Sequence, residues 1–526
     1  MKRILSLIFS IMFVLPLFSF IGCAETEEAK VLRICNCEDY IDEELLTKFT
    51  EETGIIVEYS TYGTNENLYN ELVINPNSYD LVVPSEYMIE KLAVEGRIQP
   101  LTKKSEYESY LSSYNANISP FIKEKLKNIE IDEGKYKNEN LTLYDFMVGY
   151  MWGTMGWVYN TKNVDVEDVK NWYSPFKNSN LNGKITIKDA VRDSYIVGLA
   201  MVYEEELYGA KNDNAKLTEI LNRTDKESIE KVGSKLFSLK NKLYGFEVDS
   251  GKNDIVLGNI DAYVAWSGDA AYAIDVASGE VEDDDGSFLK DTKELSYYIP
   301  EEGSNIWFDG FVMPSASTNY EAVYKFLEFI SSSSSVYSNM NYTGYTSMIA
   351  KGDDFELEDE EENTYTTNLF DEVVLGLFDK TESLLAKAKK TDLSQVSIDE
   401  MEELGYKLVD LSYFFGSGDY KVVVSEESYG RLIAQYPTEE IVQRCAIMSY
   451  FDGETLLDIN DMWLSVKCET FPLWIILLTV GIVLLLATTI LLYRFRDKVK
   501  IFKFEIKEKD YAKKHNLKVV KKEKLN

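Results

Sequence analysis

The amino-acid sequence predicts an α/β fold for an ectodomain that lies between an N-terminal signal segment and one C-terminal transmembrane helix. Two observations lead to this prediction. Short apolar, β-branched runs alternate with segments of helical periodicity over the first part of the ectodomain. Long uncharged stretches stand near each end of the 526-residue chain. Because strands that alternate with helices form parallel sheets, we expect the sheet to be mainly parallel.

The first elements follow a short acidic linker at residues 25–30. Segments 42–53 and 65–74 have helical periodicity, and Gly54 is suited to end the first of them. Apolar and β-branched runs predict three strands, at residues 31–35, 55–60 and 79–83. Ligands of parallel α/β sheets bind beyond the carboxyl ends of the strands, so the loops after these strands are the predicted binding region.

The charge of the chain excludes several classes of function. The formal net charge is −34, whereas the last 33 residues carry 13 Lys/Arg against five Asp/Glu. A strongly acidic ectodomain repels nucleic acid and attracts cations. His515, the one histidine, lies in the basic tail. The ectodomain therefore has no imidazole for catalysis or metal binding, and we expect neither an enzyme nor a metal site.

We predict structural roles for four of the cysteines. Cys35 and Cys37 are two apart in a strand-like run, while Cys445 and Cys468 stand alone. Without a second closely spaced pair they do not form a zinc-site pattern. We expect them to be small buried residues, with one long-range disulfide as the alternative.

Residues 1–23 have the features of a signal peptide. Lys2 and Arg3 precede an uncharged run, which ends at Phe20-Ile21-Gly22-Cys23. This ending resembles the bacterial lipobox, with Phe where Leu is usual, and the resemblance implies that Cys23 carries lipid. An ordinary signal anchor, or cleavage just beyond this site, is the alternative.

Residues 471–493 predict a transmembrane helix. This segment has no charged residue and would extend about 34 Å as a helix, enough to cross a bilayer. Trp474 and Tyr493 stand near its two ends, as interfacial aromatic residues do. The basic tail 494–526 follows at once, so the positive-inside rule predicts a cytoplasmic tail and an extracytoplasmic segment 24–470.

Aromatic and acidic residues follow each of the first three predicted strands. The segments are Asn36 to Tyr40, Thr61 to Glu66 and Pro84 to Tyr87. Together with 49–59 and 79–87, their order strongly resembles that of the spermidine/putrescine-binding proteins of polyamine ABC transporters, a family of extracellular solute-binding proteins. The resemblance covers about 31–350 and 436–467. Further matching blocks lie at 153–160, 189–193, 265–270, 300–303, 307–309, 344–347, 436–440 and 462–463.

The resemblance implies a type II periplasmic-binding-protein fold with two lobes and two crossovers. Lobe 1 would comprise 31–152 and 307–350, and lobe 2 would comprise 153–306 and 436–467. Residues 351–435 have no counterpart in this pattern and form an acidic insertion, with helical periodicity at 369–389 and 398–415. The sequence assigns no function to this insertion, and bracing of the lobes above the membrane and contact with the permease are the two alternatives.

A polyamine needs carboxylates for its ammonium groups and aromatic or apolar walls for its methylenes. The resemblance assigns the carboxylates to Asp39, Asp193 and Asp309. Glu38 and Cys37 stand where the family often has Thr and Trp, so Glu38 is an added candidate, and Ala190 replaces a frequent second Asp. The implied wall and hydroxyl contacts are Tyr40, Ser85, Tyr87, Trp266, Trp307 and Tyr345.

Other interpretations remain open for these residues and for the chain. Asp193 could pair with Arg192 at a helix start, and the two tryptophans could be core residues. A receptor of the same fold for ferric iron, thiamine or an organophosphonate, and a membrane-anchored ligand sensor, are the alternative functions. The resemblance implies an ABC permease and ATPase as partners and no cofactor.

Overall fold

The computed structural model describes residues 30–102, 105–279, 294–359, 363–468 and 473–516. The predicted signal peptide, including Cys23, lies outside these residues, as does the end of the tail from residue 517. The chain divides into two compact units, Met1–Trp463 and Leu464–Asn526.

A large sheet of mixed direction organises the first unit. Its strands are β1 (Val31–Cys37), β2 (Ile56–Tyr62), β3 (Leu81–Val82), β4 (Ile98–Gln99), β5 (Met147–Asn160), β6 (Ile185–Lys188), β7 (Gly245–Glu247), β8 (Ala262–Trp266), β9 (Leu295–Tyr298), β10 (Ser304–Pro314), β11 (Thr346–Ser347) and, after the insertion, Cys445–Ala446. The main path runs β2-β1-β3-β10-β5-β8-β6-β7, while β9 and β11 pair with β5, and β4 and Cys445–Ala446 pair with β10.

Helices cover the strands of this sheet. They are α1 (Glu43–Thr53), α2 (Asn65–Ile74), α3 (Glu86–Val94), α4 (Ser112–Asn117), α5 (Pro120–Lys127), α6 (Leu143–Phe146), α7 (Val166–Val169), α8 (Val191–Val202), α9 (Glu204–Ala210), α10 (Asn214–Leu221), α11 (Lys226–Leu239), α12 (Gly251–Leu257), α13 (Ser267–Ser278), α14 (Tyr320–Ile330) and α15 (Ser333–Thr343). One continuous hydrophobic cluster packs β1, β3, β5 and β10 against helices that include α1, α3 and α14.

The first helix shows how local sequence sets its own ends. The Asp42 carboxylate accepts a hydrogen bond of 3.0 Å from the Glu44 amide, which satisfies a free donor of the first turn. The helix ends at Gly54, whose φ of +72° is a left-handed conformation that glycine adopts without penalty. The predicted end of α1 and both ends of α2 are confirmed.

The prediction of a mainly parallel sheet is wrong at the centre. Strand β5 pairs antiparallel with both β10 and β8, and β10 pairs antiparallel with β3. Parallel pairing is found on either side, between β1 and its neighbours β2 and β3 and between β6 and its neighbours β7 and β8. The chain leaves the first part of the sheet along β5 and returns along β10, so these two neighbouring strands run in opposite directions.

The insertion 351–435 is less helical than its periodicity predicts. It contains β12 (Phe355–Glu358), β13 (Thr364–Thr367), a π-helix at Asp371–Gly376, α16 (Thr381–Ala388), α17 (Ile398–Glu403), β14 (Tyr406–Asp410), α18 (Ser412–Phe415), β15 (Lys421–Ser425) and α19 (Glu426–Gln435). The prediction of one helix over 398–415 is wrong because 406–410 pairs with 421–425 in a hairpin. Cross-strand apolar pairs such as Val409 with Val422 stabilise this hairpin.

The insertion contacts strand β5 and helix α13. Its Phe414 ring stacks on Trp152 of β5 with 5.2 Å between ring centroids. The Ser119 hydroxyl donates to the Phe414 carbonyl at 2.7 Å. Arg431 of α19 pairs with Asp275 of α13.

The four described cysteines are free thiols. Cys35 and Cys445 are buried and Cys37 is partly exposed, whereas Cys468 is exposed. The expectation of small buried residues is therefore correct for two of them and wrong for Cys468.

The remaining helices are α20 (Glu439–Gln443), α21 (Gly453–Lys467) and α22 (Leu473–Lys514). Helix α22 contains the segment Leu477–Arg496, whose mean hydropathy is 2.1, and among the described residues it is the one helix long and apolar enough to span a membrane. The length and the composition of the helix are the basis of this finding.

Candidate ligand-binding cleft

The candidate site lies where the two long strands meet the loops that follow β1 and β3. Tyr40 follows β1, and Ser85 follows β3 and forms an isolated backbone bridge with Asp309 of β10. The pairing of β10 with β5 shifts register between Asp309 and Gly310. Irregularities of this kind redirect a side chain out of the regular pleat.

Asp309 is the central carboxylate of the site. Its Oδ2 accepts a hydrogen bond of 2.7 Å from the Tyr40 hydroxyl. Its Oδ1 is buried and has no hydrogen-bond partner among the described residues. Burial raises the pKa of Asp309 to about 6, and the Asp193 charge adds to this rise, while the nearby hydroxyls of Ser85 and Tyr40 oppose it. Asp309 thus retains one acceptor atom that no described residue uses.

An aromatic cluster surrounds this carboxylate. The Tyr40 and Tyr345 rings meet edge to face with 4.9 Å between centroids, and Trp307 packs against Tyr345 at 5.7 Å. Gly268, at the start of α13, allows the Tyr345 ring to approach, because a Cβ there would lie 2.2 Å from that ring. Trp307 is 6% exposed, so it is a core residue as well as part of this cluster.

Asp193 is the second buried carboxylate near the site. It lies in the first turn of α8 and is 8% exposed. Burial raises its pKa to about 6, whereas a hydrogen bond from the Trp266 side chain and the charges of Lys188 and Arg192 act against this rise. Asp193 therefore has the two cationic neighbours that Asp309 lacks.

Lys188, at the end of β6, was not recognised from the sequence. Its side chain is 1% exposed, and its Nζ lies 3.3 Å from Asp269 Oδ2 and 3.8 Å from Glu247 Oε1. The same Nζ is 4.0 Å from the centroid of the Trp266 ring. Asp269 also accepts a hydrogen bond of 2.8 Å from the Tyr345 hydroxyl. The position of Lys188 at the carboxyl end of a buried strand was the available signal.

Tyr87 and Arg192 form a second edge of the site. The Tyr87 hydroxyl donates to Glu66 Oε1 at 3.2 Å, and the Arg192 guanidinium carbon lies 4.7 Å from the Tyr87 ring centroid. Arg192 is buried, and its Nε and Nη1 have no hydrogen-bond partner among the described residues. Burial lowers the pKa of Arg192, although the nearby Tyr87 and Glu86 oppose this.

Glu38 and Asp39 do not join the buried cluster. Both are exposed, and 79% of the Asp39 side chain is accessible to solvent. Asp39 has a φ of +51°, and its Oδ2 is 4.0 Å from Lys252 Nζ. Of the ten predicted ligand-binding residues, the structure thus gathers eight around the Asp309 and Asp193 carboxylates and leaves these two at the surface.

A surface depression elsewhere has a structural explanation. It is lined in part by Arg33, Asp80 and Asn319 and lies at the amino ends of β1 and β3. Asp80 accepts hydrogen bonds there from Arg33, Ser317 and Asn319. Its charge is therefore satisfied within the protein.

The family model of the bacterial extracellular solute-binding proteins matches residues 44–361. The chain belongs to this family. These matched residues contain seven of the predicted site residues, from Ser85 to Tyr345, and the long strands β5 and β10.

Curated solute-binding proteins are similar to more than half of the chain. The spermidine/putrescine-binding periplasmic protein of Escherichia coli is 26% identical over 310 residues, which are 59% of this chain and 75% of that protein. The putrescine-binding periplasmic protein SpuD of Pseudomonas aeruginosa is 30% identical over 321 residues, which are 59% of this chain and 76% of SpuD.

Solved structures of solute-binding proteins share the fold. The spermidine/putrescine ABC transporter substrate-binding protein PotD of Streptococcus pneumoniae is 25% identical, with a TM-score of 0.50, covering 83% of this chain and 98% of PotD. A putative spermidine/putrescine ABC transporter protein of Listeria monocytogenes superposes with a TM-score of 0.53 at 21% identity, covering 83% of this chain and 99% of its own. The mixed α/β fold of this solute-binding protein is thus that of its relatives.

Proposed function

We propose that this solute-binding protein is the membrane-anchored, extracytoplasmic receptor of an ABC importer, and that it captures polyamines such as spermidine or putrescine. The observation that carries the proposal is the buried, unpartnered Oδ1 of Asp309 within the Tyr40–Trp307–Tyr345 cluster. A carboxylate beside aromatic faces stabilises a desolvated ammonium through Coulomb and cation–π interactions. The names of the curated relatives support the same ligand class.

We further propose that the ligand lies between two lobes. Lobe 1 comprises 31–152 with 307–350, lobe 2 comprises 153–306 with 436–467, and β5 and β10 are the crossovers. Contacts across this division, such as Arg192 with Tyr87 and Lys252 with Asp39, support a closed arrangement. The insertion 351–435 braces the lobes, since it contacts Trp152 in one and Asp275 in the other.

The tyrosines near Asp309 favour an ammonium ligand over ferric iron. Burial and the neighbouring carboxylates raise the pKa of Tyr40 and of Tyr345 well above the usual value. Both hydroxyls donate hydrogen bonds to carboxylates. Since metal ligands must be deprotonated, such neutral phenols are poor ligands for iron.

The membrane anchoring has separate support. The apolar segment Leu477–Arg496 of α22 precedes further basic residues of the same helix, which is the order expected for a helix with a cytoplasmic tail. Lipid on Cys23 would provide a second anchor. The proposed partners are an ABC permease and its ATPase, and we propose that the protein itself is not an enzyme.

Calorimetric titration of the detergent-solubilised chain with spermidine, putrescine and thiamine tests the ligand class. We expect saturable binding of at least one polyamine and no binding of thiamine. Binding of thiamine alone, or of none of the three, would contradict the proposed ligand.

A further inference from the structure

The ammonium group of Lys188 lies in the kind of surroundings that an alkylammonium ligand requires. Its Nζ contacts the Asp269 carboxylate at 3.3 Å and lies 4.0 Å from the Trp266 ring centroid. It also donates a hydrogen bond of 2.8 Å to the Val248 carbonyl. A carboxylate and an aromatic face together compensate a cation for the loss of water.

The groups around Lys188 continue into the Asp309 site. Asp269 binds the Lys188 ammonium through Oδ2, and its Oδ1 accepts a hydrogen bond from the Tyr345 hydroxyl. Tyr345 packs against Tyr40, whose hydroxyl donates to Asp309. The Lys188 ammonium and the Asp309 carboxylate therefore belong to one contiguous set of carboxylates and rings.

We infer that Lys188 is a tethered ammonium that fills one amine subsite of the cleft, and that the ligand is therefore a short diamine rather than a triamine or tetraamine. This inference rests on the proposed function, because it specifies which polyamine the cleft accepts.

Among the described carboxylates of this set, only Asp309 has no cationic neighbour. Asp269 and Glu247 are paired with Lys188, and Asp193 has Lys188 and Arg192 as cationic neighbours. The groups that act on Asp309 are Ser85, Tyr40 and Asp193, none of which is a cation. One ligand ammonium binds Asp309, and the second reaches Asp193. A third ammonium would meet Lys188 and Arg192, and like charges repel strongly in a buried site.

A purely structural role for Lys188 makes a different prediction. Lys188 joins the end of β6 to Glu247 of β7 and Asp269 of α13, so it also stabilises this part of the sheet. If this were the whole role of Lys188, its replacement would lower the stability of the fold and would weaken the binding of all amines to the same extent. The ratio of affinities for long and short amines distinguishes the two roles.

The first test uses the unmodified full chain in detergent, titrated with putrescine, cadaverine, spermidine and spermine. We expect the two diamines to bind at least tenfold more tightly than spermidine and spermine. Spermidine or spermine binding as tightly as putrescine overturns the inference and leaves the proposed function intact. Failure to bind any of the four contradicts the proposed function itself.

The second test replaces Lys188 by Met, which keeps the length of the side chain and removes its charge. The Lys188→Met variant removes a like charge that repels a third ammonium, so the spermidine-to-putrescine affinity ratio should rise about tenfold or more. Lys231→Met is the control, since Lys231 is an exposed residue of α11 that pairs with Glu227 and should leave the ratio unchanged.

Two carboxylates lose their cation in Lys188→Met, so its folding is checked by circular dichroism. If it unfolds, the Lys188→Met/Glu247→Gln double variant removes one of the uncompensated charges and the same ratio is measured. An unchanged ratio in a folded variant overturns the inference, as does an equal rise in Lys231→Met.

Discussion

Arg431 holds the carboxylate of Asp275 through two hydrogen bonds, from Nε at 2.6 Å and from Nη2 at 2.7 Å, across 156 positions of sequence. This bidentate pair joins α19 of the insertion to α13, next to the Asp269 and Tyr345 part of the site. Bidentate arginine–carboxylate pairs combine strength with a defined geometry. The insertion is therefore attached to the helix that begins directly after Trp266.

Replacing Arg431 by Met should lower the free energy of unfolding by about 1–3 kcal/mol, because the pair is only 12% and 21% exposed and Asp275 would lose its partner. Thermal or denaturant unfolding of the full chain measures this. The control is Lys231→Met, which breaks the exposed pair with Glu227 and should cost less than about 1 kcal/mol. Equal losses in the two variants would show that the insertion does not brace the fold at this point.

Replacing Asp309 by Asn should weaken polyamine binding by roughly 30-fold or more, because a desolvated ammonium loses its charged partner. The unliganded variant should melt at the same temperature as the parent or higher, since burial disfavours the ionised form of Asp309. Calorimetric titration and thermal melting measure the two effects.

The same substitution at Asp39 is the matched control for Asp309→Asn. Asp39 is exposed and near Lys252, so Asp39→Asn should weaken binding by less than about fivefold. Equal losses at the two positions would mean that Asp309 has no special role in binding.

Polyamine binding should weaken as the pH falls through 6. Burial raises the pKa of Asp309 and of Asp193 to about 6, so both carboxylates gain protons over this range and lose their attraction for ammonium. Without ligand, the folded state binds more protons than the unfolded state between about pH 4 and 6, so these groups stabilise the fold most at low pH and less as the pH rises through 6.

The ligand-induced rise in melting temperature should therefore be larger at pH 7.5 than at pH 5. Buffers matched in ionic strength separate this effect from screening of the Glu66, Lys188 and Arg192 charges around Asp193. An equal shift at both pH values would argue against these two carboxylates as ligands of the amine.

Protease added to intact cells should remove segment 24–470 and leave a fragment that contains α22 and the tail. The apolar segment Leu477–Arg496 and the basic residues after it predict this orientation. An antibody against a C-terminal tag detects the fragment, and permeabilised cells show that the tail is cleaved once it is accessible. Full protection of segment 24–470 would reverse the proposed orientation.

Replacing Cys23 by Ala should abolish incorporation of a fatty-acid probe. The protein should nevertheless remain in the membrane fraction, because we propose that the apolar segment of α22 is a second anchor. Cys468→Ala is the control, since Cys468 is an exposed thiol outside the lipobox. Labelling that persists in Cys23→Ala would rule out lipid at this position.

Several features of the fold were predictable because they depend on neighbouring residues. Asp42 and Gly54 set the ends of α1 through interactions within one or two turns of the chain, and the strands β1 and β2 follow β-branched runs. Strand 406–410 was missed because its conformation depends on pairing with 421–425. The antiparallel centre was missed for the same reason, since β5 and β10 are far apart in sequence.

The predicted and the missed residues of the site differ in the same way. Tyr40, Ser85, Trp307, Asp309 and Tyr345 were predicted together, because their motifs stand in a recognisable order at strand ends and crossovers. Lys188 was not predicted, because its role depends on its contacts with Asp269, which is 81 positions away, and with the face of the Trp266 ring. Glu38 and Asp39 carry the expected charge, but their exposure was decided by the turn that follows β1. Short-range periodicity and capping can be derived from the chain itself, whereas desolvation and the pairing of charges depend on which distant segments the tertiary structure brings together.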